Sequence, residues 1–112
     1  MKMIEAIVRP SRFSEIEEAL NKYEIKGLTV TQVMGCGRQK GHKEYYRGNV
    51  VNINLLPKMK LEIVAKDEHV DEIVKLICEE ARTGEVGDGK IFIYSIGDGV
   101  RIRTGERGEV SI

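Results

Sequence analysis

Residues 2–9, KMIEAIVR, alternate: Ile4, Ala6 and Val8 face one way and Glu5 and Arg9 the other. That is the two-residue period of a half-buried strand, and Pro10 ends it. Phe13, Ile16, Leu20 and Tyr23 then recur at three- and four-residue spacing, which predicts a helix, with Ser14 and Glu17 as a capping box and Gly27 beyond its end. Leu28–Met34 reads as a second strand, rich in β-branched residues. From Gly35 to Asn49, GCGRQKGHKEYYRGN carries four glycines and neither period. Asn52 and Asn54 interrupt the apolar run from Val50 to Leu56, so the whole stretch reads as a long loop of the kind that carries function.

Order returns after Pro57. Met59, Leu61, Ile63 and Ala65 mark a third strand. Asp67 is placed to cap a second helix whose buried stripe is Val70, Ile73, Val74, Ile77 and Ala81, with Gly84 just past its end. IFIYSI at 91–96 is a fourth strand and VRIRT at 100–104 a short C-terminal one. The order β-α-β, long loop, β-α-β predicts a single α+β domain over 1–112, a ferredoxin-like double β-α-β with an antiparallel sheet.

Composition narrows the classes. The 112 residues are 41% hydrophobic and 32% charged, with 18 acidic and 18 basic side chains, as expected of a globular protein with no overall electrostatic pull toward nucleic acid. Aromatic residues are 5% of the chain and no RNA-recognition strand is present, which argues against an RNA-binding module. Cys36 and Cys78 have no metal-ligand spacing, and Cys78 beside Val74, Ile77 and Ala81 reads as a small core residue. No leader-like segment opens the chain and no apolar run approaches ~18 residues, so the expected location is cytoplasmic, with the inner membrane reached only through a partner.

Three segments favour anions. Gly84, Gly89 and Lys90 reproduce the G-x-x-x-x-G-K spacing of a phosphate-binding loop. Its context is inverted, however: Ile91 stands where magnesium would need Ser or Thr, a helix precedes and a strand follows. Gly87-Asp88-Gly89 still lets backbone N–H groups approach an anion, although a plain helix-to-strand turn explains those residues equally well. Gly35-Cys36-Gly37-Arg38-Gln39-Lys40-Gly41 is a second glycine-spaced cationic segment. In a strand over 100–104, Arg101 and Arg103 would share a face about 6–7 Å apart, a pairing suited to phosphate. No base or nucleophile accompanies these segments, and His42 and His69 are isolated, so an enzyme such as a slow ATPase or phosphotransferase is the weaker reading.

LTVTQV, GCGRQKGH, YRG, LPKMKLEIV, ARTGEVGDGKIFIY and VRIRTGERGE run in this order through almost the whole chain. In these motifs the sequence resembles the PII nitrogen-regulatory signal-transduction proteins, the GlnB/GlnK group, and T-x-x-x-G-D-G-K-I-F-I at Thr83–Ile93 is a specific signature of that family. The resemblance implies a non-enzymatic homotrimer that binds ATP or ADP in clefts between neighbouring subunits. Gly35, Gly37 and Arg38 would lie on the phosphate side, with Gly87, Asp88, Gly89 and Lys90 around the phosphates. Arg101 and Arg103 would reach in from the neighbour, and Thr29, Glu62 and Val64 would surround adenine and ribose.

It further implies Mg²⁺ held by Gln39 together with ATP and 2-oxoglutarate, and a 2-oxoglutarate site of Gln39, Lys40, Gly41, Lys58 and Gly87. The segment from about 38 to 56 corresponds to the T-loop. Its Arg47 would dock on an Amt-type ammonium transporter or the loop on a nitrogen-metabolism enzyme, nitrogenase control or glutamine synthetase being the alternatives. Many relatives carry a modifiable tyrosine where Val51 stands, and some a phosphorylated serine where Asn49 stands, so no modification is expected in this chain.

Overall fold

The computed structural model describes residues 1–36, 43–46, 49–52 and 55–112, with the backbone alone at 43–46 and 49–52. Its strands are β1 (Lys2–Val8), β2 (Thr29–Cys36), β3 (Lys43–Tyr46), β4 (Asn49–Asn52), β5 (Leu55–Ala65) and β6 (Gly89–Ser95). Its helices are α1 (Phe13–Lys22) and α2 (Val70–Ala81). β2, β5, β1 and β6 form one sheet in that order, and every neighbouring pair is antiparallel. With two helices packed on it, this is the ferredoxin-like α+β arrangement that the element order predicts.

The alternation in β1 and β5 does what its period requires. Ile4, Ala6 and Val8 pair in register with Ile63, Leu61 and Met59 and point toward the helices. They form the core with Ile16 and Leu20 of α1 and with Val70, Ile73, Leu76, Ile77 and Ala81 of α2. Leu76 was not part of the expected stripe, in which Val74 took a place that the structure leaves half-buried. Among the described residues the opposite sheet face carries no helix and is mixed: Glu5, Lys60 and Glu62 form an ion-pair chain there, beside Ile7, Phe92 and Tyr94.

Both helix starts differ from expectation. A 3₁₀ turn over Pro10–Arg12 leads into α1, so Ser14 falls inside the first turn and Arg12 occupies the cap position without a side-chain bond. A matching turn over Asp67–His69 leads into α2, and the Asp67 carboxylate instead accepts a 2.9 Å hydrogen bond from the Met1 ammonium. Gly27 lies beyond the end of α1 as expected, at φ 82°, but the residue that closes the helix is Glu24, also left-handed at φ 59°. Glu24 N–H donates to Asn21 O and Ile25 N–H to Leu20 O, both at 3.0 Å, the paired bonds of a Schellman ending.

The long loop is not wholly irregular. β3 and β4 pair from Lys43↔Asn52 to Tyr46↔Asn49, and β5 already begins at Leu55. Tyr45-Tyr46 and Val50-Val51 on either side of Gly48 are a strand signal that the dispersed polar residues hide. Pro57 lies within β5, opposite Met34 of β2. There β1 does not reach, so β5 has one neighbour only, which is where a strand tolerates proline.

The C-terminal strand expected over 100–104 is replaced by a turn closed by the single bridge Val100↔Arg107. Gly105 N–H donates to Arg101 O at 2.7 Å and Arg101 N–H to Glu106 O at 2.9 Å. The Asp98 carboxylate ties the base of this turn to Gly99 N, Gly108 N and Arg107 Nε. Positive φ at Gly105 and Gly108 turns the chain out of any strand path. Among the described residues, no helix is long and apolar enough to cross a membrane.

Candidate phosphate-binding cleft

The segment from Arg82 to Asp88 joins α2 to β6, and its form is dictated by one carboxylate. Asp88 accepts hydrogen bonds from Thr83 N and Gly84 N at 2.9 Å, from the Thr83 hydroxyl, and from Arg9 Nε at 3.0 Å. Chiefly the Thr83 hydroxyl, assisted by the backbone N–H groups and Arg9, holds the Asp88 carboxyl far below the usual carboxylate range. Arg9 reaches further along the same loop, donating through Nη2 to Val86 O at 2.8 Å. Lys58 Nζ donates to Gly87 O at 2.6 Å. Burial and then the Arg9 guanidinium pull the Lys58 ammonium below its ordinary pKa, with Asp88 opposing them.

The glycines allow this close fit. Gly87 and Gly89 have φ of 102° and 103°, a region closed to most side chains. A Cβ on Gly89 would overlap the Ile7 carbonyl oxygen and lie 2.9 Å from the Ile7 carbonyl carbon. A Cβ on Gly35 would come within 3.3 Å of Lys58 Cγ. The loop therefore lies directly against the ends of β1 and β5.

Gly35, Lys58, Gly87, Asp88, Gly89 and Lys90 line one cleft of about 940 Å³, together with Ile7, Cys36, Leu56, Phe92 and the loop residues Glu85 and Val86. Six residues singled out from the sequence thus converge. Because its carboxylate is spent on its own loop, Asp88 is an organiser of the backbone, and the cleft's free cation among the described residues is Lys90. The arrangement suits a polyanion: donor-rich glycine backbone, an exposed lysine and an apolar wall.

Other expected site residues lie elsewhere in the subunit. Thr29 and Glu62 are register partners on the helix-free face. Val64 lines a separate cleft of about 660 Å³ with Tyr23, His69 and Ile112. Arg101 pairs with Glu106 at 3.2 Å, and Arg103 is exposed. Neither lines the phosphate-loop cleft, and the same-face spacing expected of them does not apply because they lie in a turn. Gly37, Arg38, Gln39, Lys40, Gly41 and Arg47 lie outside the described residues, as do the side chains of Asn49 and Val51. The residue that sequence reading missed is Arg9. It looked like an outward strand residue, and its one signal was a charge at the last position before the Pro10 break.

Fold and site together define a class: a ferredoxin-like α+β module with a glycine-rich loop at the mouth of a cleft. Comparison with known proteins makes it specific. Residues 1–106 match the family model "Nitrogen regulatory protein P-II". The chain is 51% identical over 112 residues to the nitrogen regulatory protein P-II of Pasteurella multocida, covering all of both chains. It is 54% identical over 106 residues to that of Rhizobium etli, 95% of each chain. With the nitrogen regulatory protein GlnK of Escherichia coli K12 it shares 44% over 112 residues, again the whole of both. The chain belongs to the P-II family of nitrogen regulatory proteins, a signalling family.

Proposed function

We propose that this protein senses the adenylate state and, with MgATP, 2-oxoglutarate, and that it passes the result to an ammonium transporter or a nitrogen-assimilation enzyme through the T-loop at about 38–56. The observation that carries this is the convergence of Gly35, Lys58, Gly87, Gly89 and Lys90 on one cleft in which the Asp88 carboxylate is turned into its own loop. ATP or ADP phosphates would lie along Gly87–Lys90. Arg101 and Arg103 do not line that cleft in their own subunit, so a site in which they meet the phosphates would draw them from a second copy, in keeping with a homotrimer, and Thr29, Glu62 and Val64 would lie around the adenine and ribose.

Magnesium fits as a shared ion. A hard cation wants several oxygen ligands, and of the two carboxylates lining the cleft Asp88 already accepts four hydrogen bonds while Glu85 is exposed on the loop. Gln39, the nucleotide phosphates and the keto and carboxylate oxygens of 2-oxoglutarate would then complete the set, which makes 2-oxoglutarate binding depend on ATP and, by linkage, the reverse. Lys58, with Lys40 and Gly41 nearby, would receive the distal carboxylate. Lys58 has three N–H donors and uses one on Gly87 O. The regulatory character of the relatives favours a sensor over an ATPase.

Calorimetric titration with 2-oxoglutarate, in the presence of MgATP, of MgADP and of neither, tests the proposal. Binding restricted to MgATP, and lost on Gln39→Ala or Lys58→Ala, is the expected result. Binding that ignores the nucleotide would refute the shared ion, and no binding at all would leave an adenylate sensor.

A further inference from the structure

Two arginines leave one turn and hold the two ends of the same connection. The turn is Pro10–Arg12, a 3₁₀ turn with Pro10 at its start, closed by a 3.1 Å hydrogen bond from Arg12 N–H to Arg9 O. Proline fixes φ there, so a stiff piece of backbone sets the separation of Arg9 and Arg12. Arg9 reaches the far end of the connection between α2 and β6, at Val86 O and Asp88. Arg12 reaches the near end, where its Nε donates to Glu80 O at 2.7 Å in the last turn of α2.

The Arg12 bond answers a defect in α2. The last carbonyls of a helix lack partners and form the negative end of its dipole, which a cation offsets. α2 has no basic residue in its last turn and carries Glu79 and Glu80 there instead. Arg12 supplies the missing cation from 68 residues away in the chain. Longer ion pairs, 3.8 Å to Glu15 and 3.9 Å to the Glu80 carboxylate, steady its guanidinium at the helix end. The place where α2 stops is therefore fixed relative to the end of β1.

We propose that Arg12 is a positioning residue for the phosphate loop. With Arg9 it forms a two-ended bracket that sets the span from Glu80 to Asp88 and so presents Gly87–Lys90 to an anion. Arg12 does not line the cleft, so its effect on a ligand runs through the loop alone. The span matters because Thr83 N–H and Gly84 N–H reach the Asp88 carboxylate only when the chain folds back within five residues. Releasing the Glu80 end frees the last turn of α2, and the fold-back loses its fixed origin. This step rests on the nucleotide-binding reading above.

Amide hydrogen exchange without nucleotide, and calorimetric titration with MgATP, test the bracket in the parent, Arg12→Ala, Arg12→Lys and Val70→Ala. Val70 is buried at the opposite end of α2, so its variant lowers stability without touching the bracket. For Arg12→Ala the expected result is faster exchange at Thr83 and Gly84 and about 10-fold weaker MgATP binding, the worth of one hydrogen bond from a charged donor. Arg12→Lys keeps the charge but not the directed Nε–H, and should show both effects at smaller size. Val70→Ala should show neither. Exchange at the parent's rate in both Arg12 variants, or an equal change in Val70→Ala, overturns the bracket. Faster exchange with unchanged MgATP affinity overturns the positioning role. A parent protein that binds no MgATP overturns the nucleotide-binding reading, while the exchange rates still decide the bracket.

Discussion

Gly89→Ala should be far more damaging than Gly84→Ala, although both glycines sit at positive φ, 103° at the start of β6 and 89° in the connection before it. The difference is room. A Cβ on Gly84 meets nothing within 4 Å, so that substitution carries only the backbone strain, about 1 kcal/mol. A Cβ on Gly89 overlaps the Ile7 carbonyl oxygen and crowds Val8 Cα at 3.3 Å. Both neighbours are backbone atoms of β1, which is paired on both edges and has no freedom to retreat. Overpacking adds about 1–3 kcal/mol to the same strain, for a total of about 2–4 kcal/mol. The retreat would also part the Val8↔Gly89 end of the β1–β6 ladder and move Lys90, so nucleotide affinity should fall with stability. Urea denaturation of the two variants and the parent at one protein concentration measures the first effect. Calorimetric titration with MgATP measures the second. Equal midpoints for the two variants would refute the steric reasoning, and an unchanged affinity for Gly89→Ala would refute the role given to the loop.

Arg9→Ala removes the donors to Asp88 and Val86 O, and at about 1.5–3 kcal/mol for charged hydrogen bonds nucleotide binding should weaken about 10- to 100-fold, with Arg9→Lys recovering part of it. Unchanged calorimetric affinity for Arg9→Ala would show that the loop holds its form without the clamp. Because the Asp88 carboxyl lies below its ordinary value of 3.8 in the folded state, its contribution should be complete above that pH. It should be lost only as the pH falls through the lower folded value, an acid limb in the denaturation profile that Asp88→Asn should remove. Leu61→Ala, at a fully buried site facing both helices, should cost about 2–5 kcal/mol in urea denaturation.

How much of this was legible in the sequence depends on the range of the physics involved. The alternation of β1 and β5 and the stripe of α2 repeat over many residues, and each repeat points to the same buried face. The type and order of those elements could therefore be read directly, whereas β3 and β4 were read as loop. Element ends depend on one or two residues and were read less well. Gly27 marked the end of α1 and is left-handed, yet the helix closes three residues earlier at Glu24, because its N–H and that of Ile25 find helix carbonyls. VRIRT alternates like a strand, but Asp98, Gly105 and Gly108 close it into a turn.

The site divides in the same way. The glycines and Lys90 of Thr83–Lys90 are contiguous and stood out at once, whereas the Arg9–Asp88 clamp spans 79 residues and exists only once β1 and β6 are paired. The Thr83–Lys90 segment reads as a nucleotide motif, but what shapes it is a carboxylate that cannot itself welcome phosphate. Asp88 repels an anion and yet fixes the N–H groups that would bind one, so its effect on affinity is indirect and works through the loop's geometry. A variant that keeps the geometry while removing the charge is the informative one. If Asp88→Asn retains the bonds to Thr83 and Gly84, phosphate affinity should hold or rise; if the loop relaxes, affinity should fall and Arg9→Ala should add nothing further. Comparing the single and double variants by MgATP titration separates the electrostatic role from the positioning role.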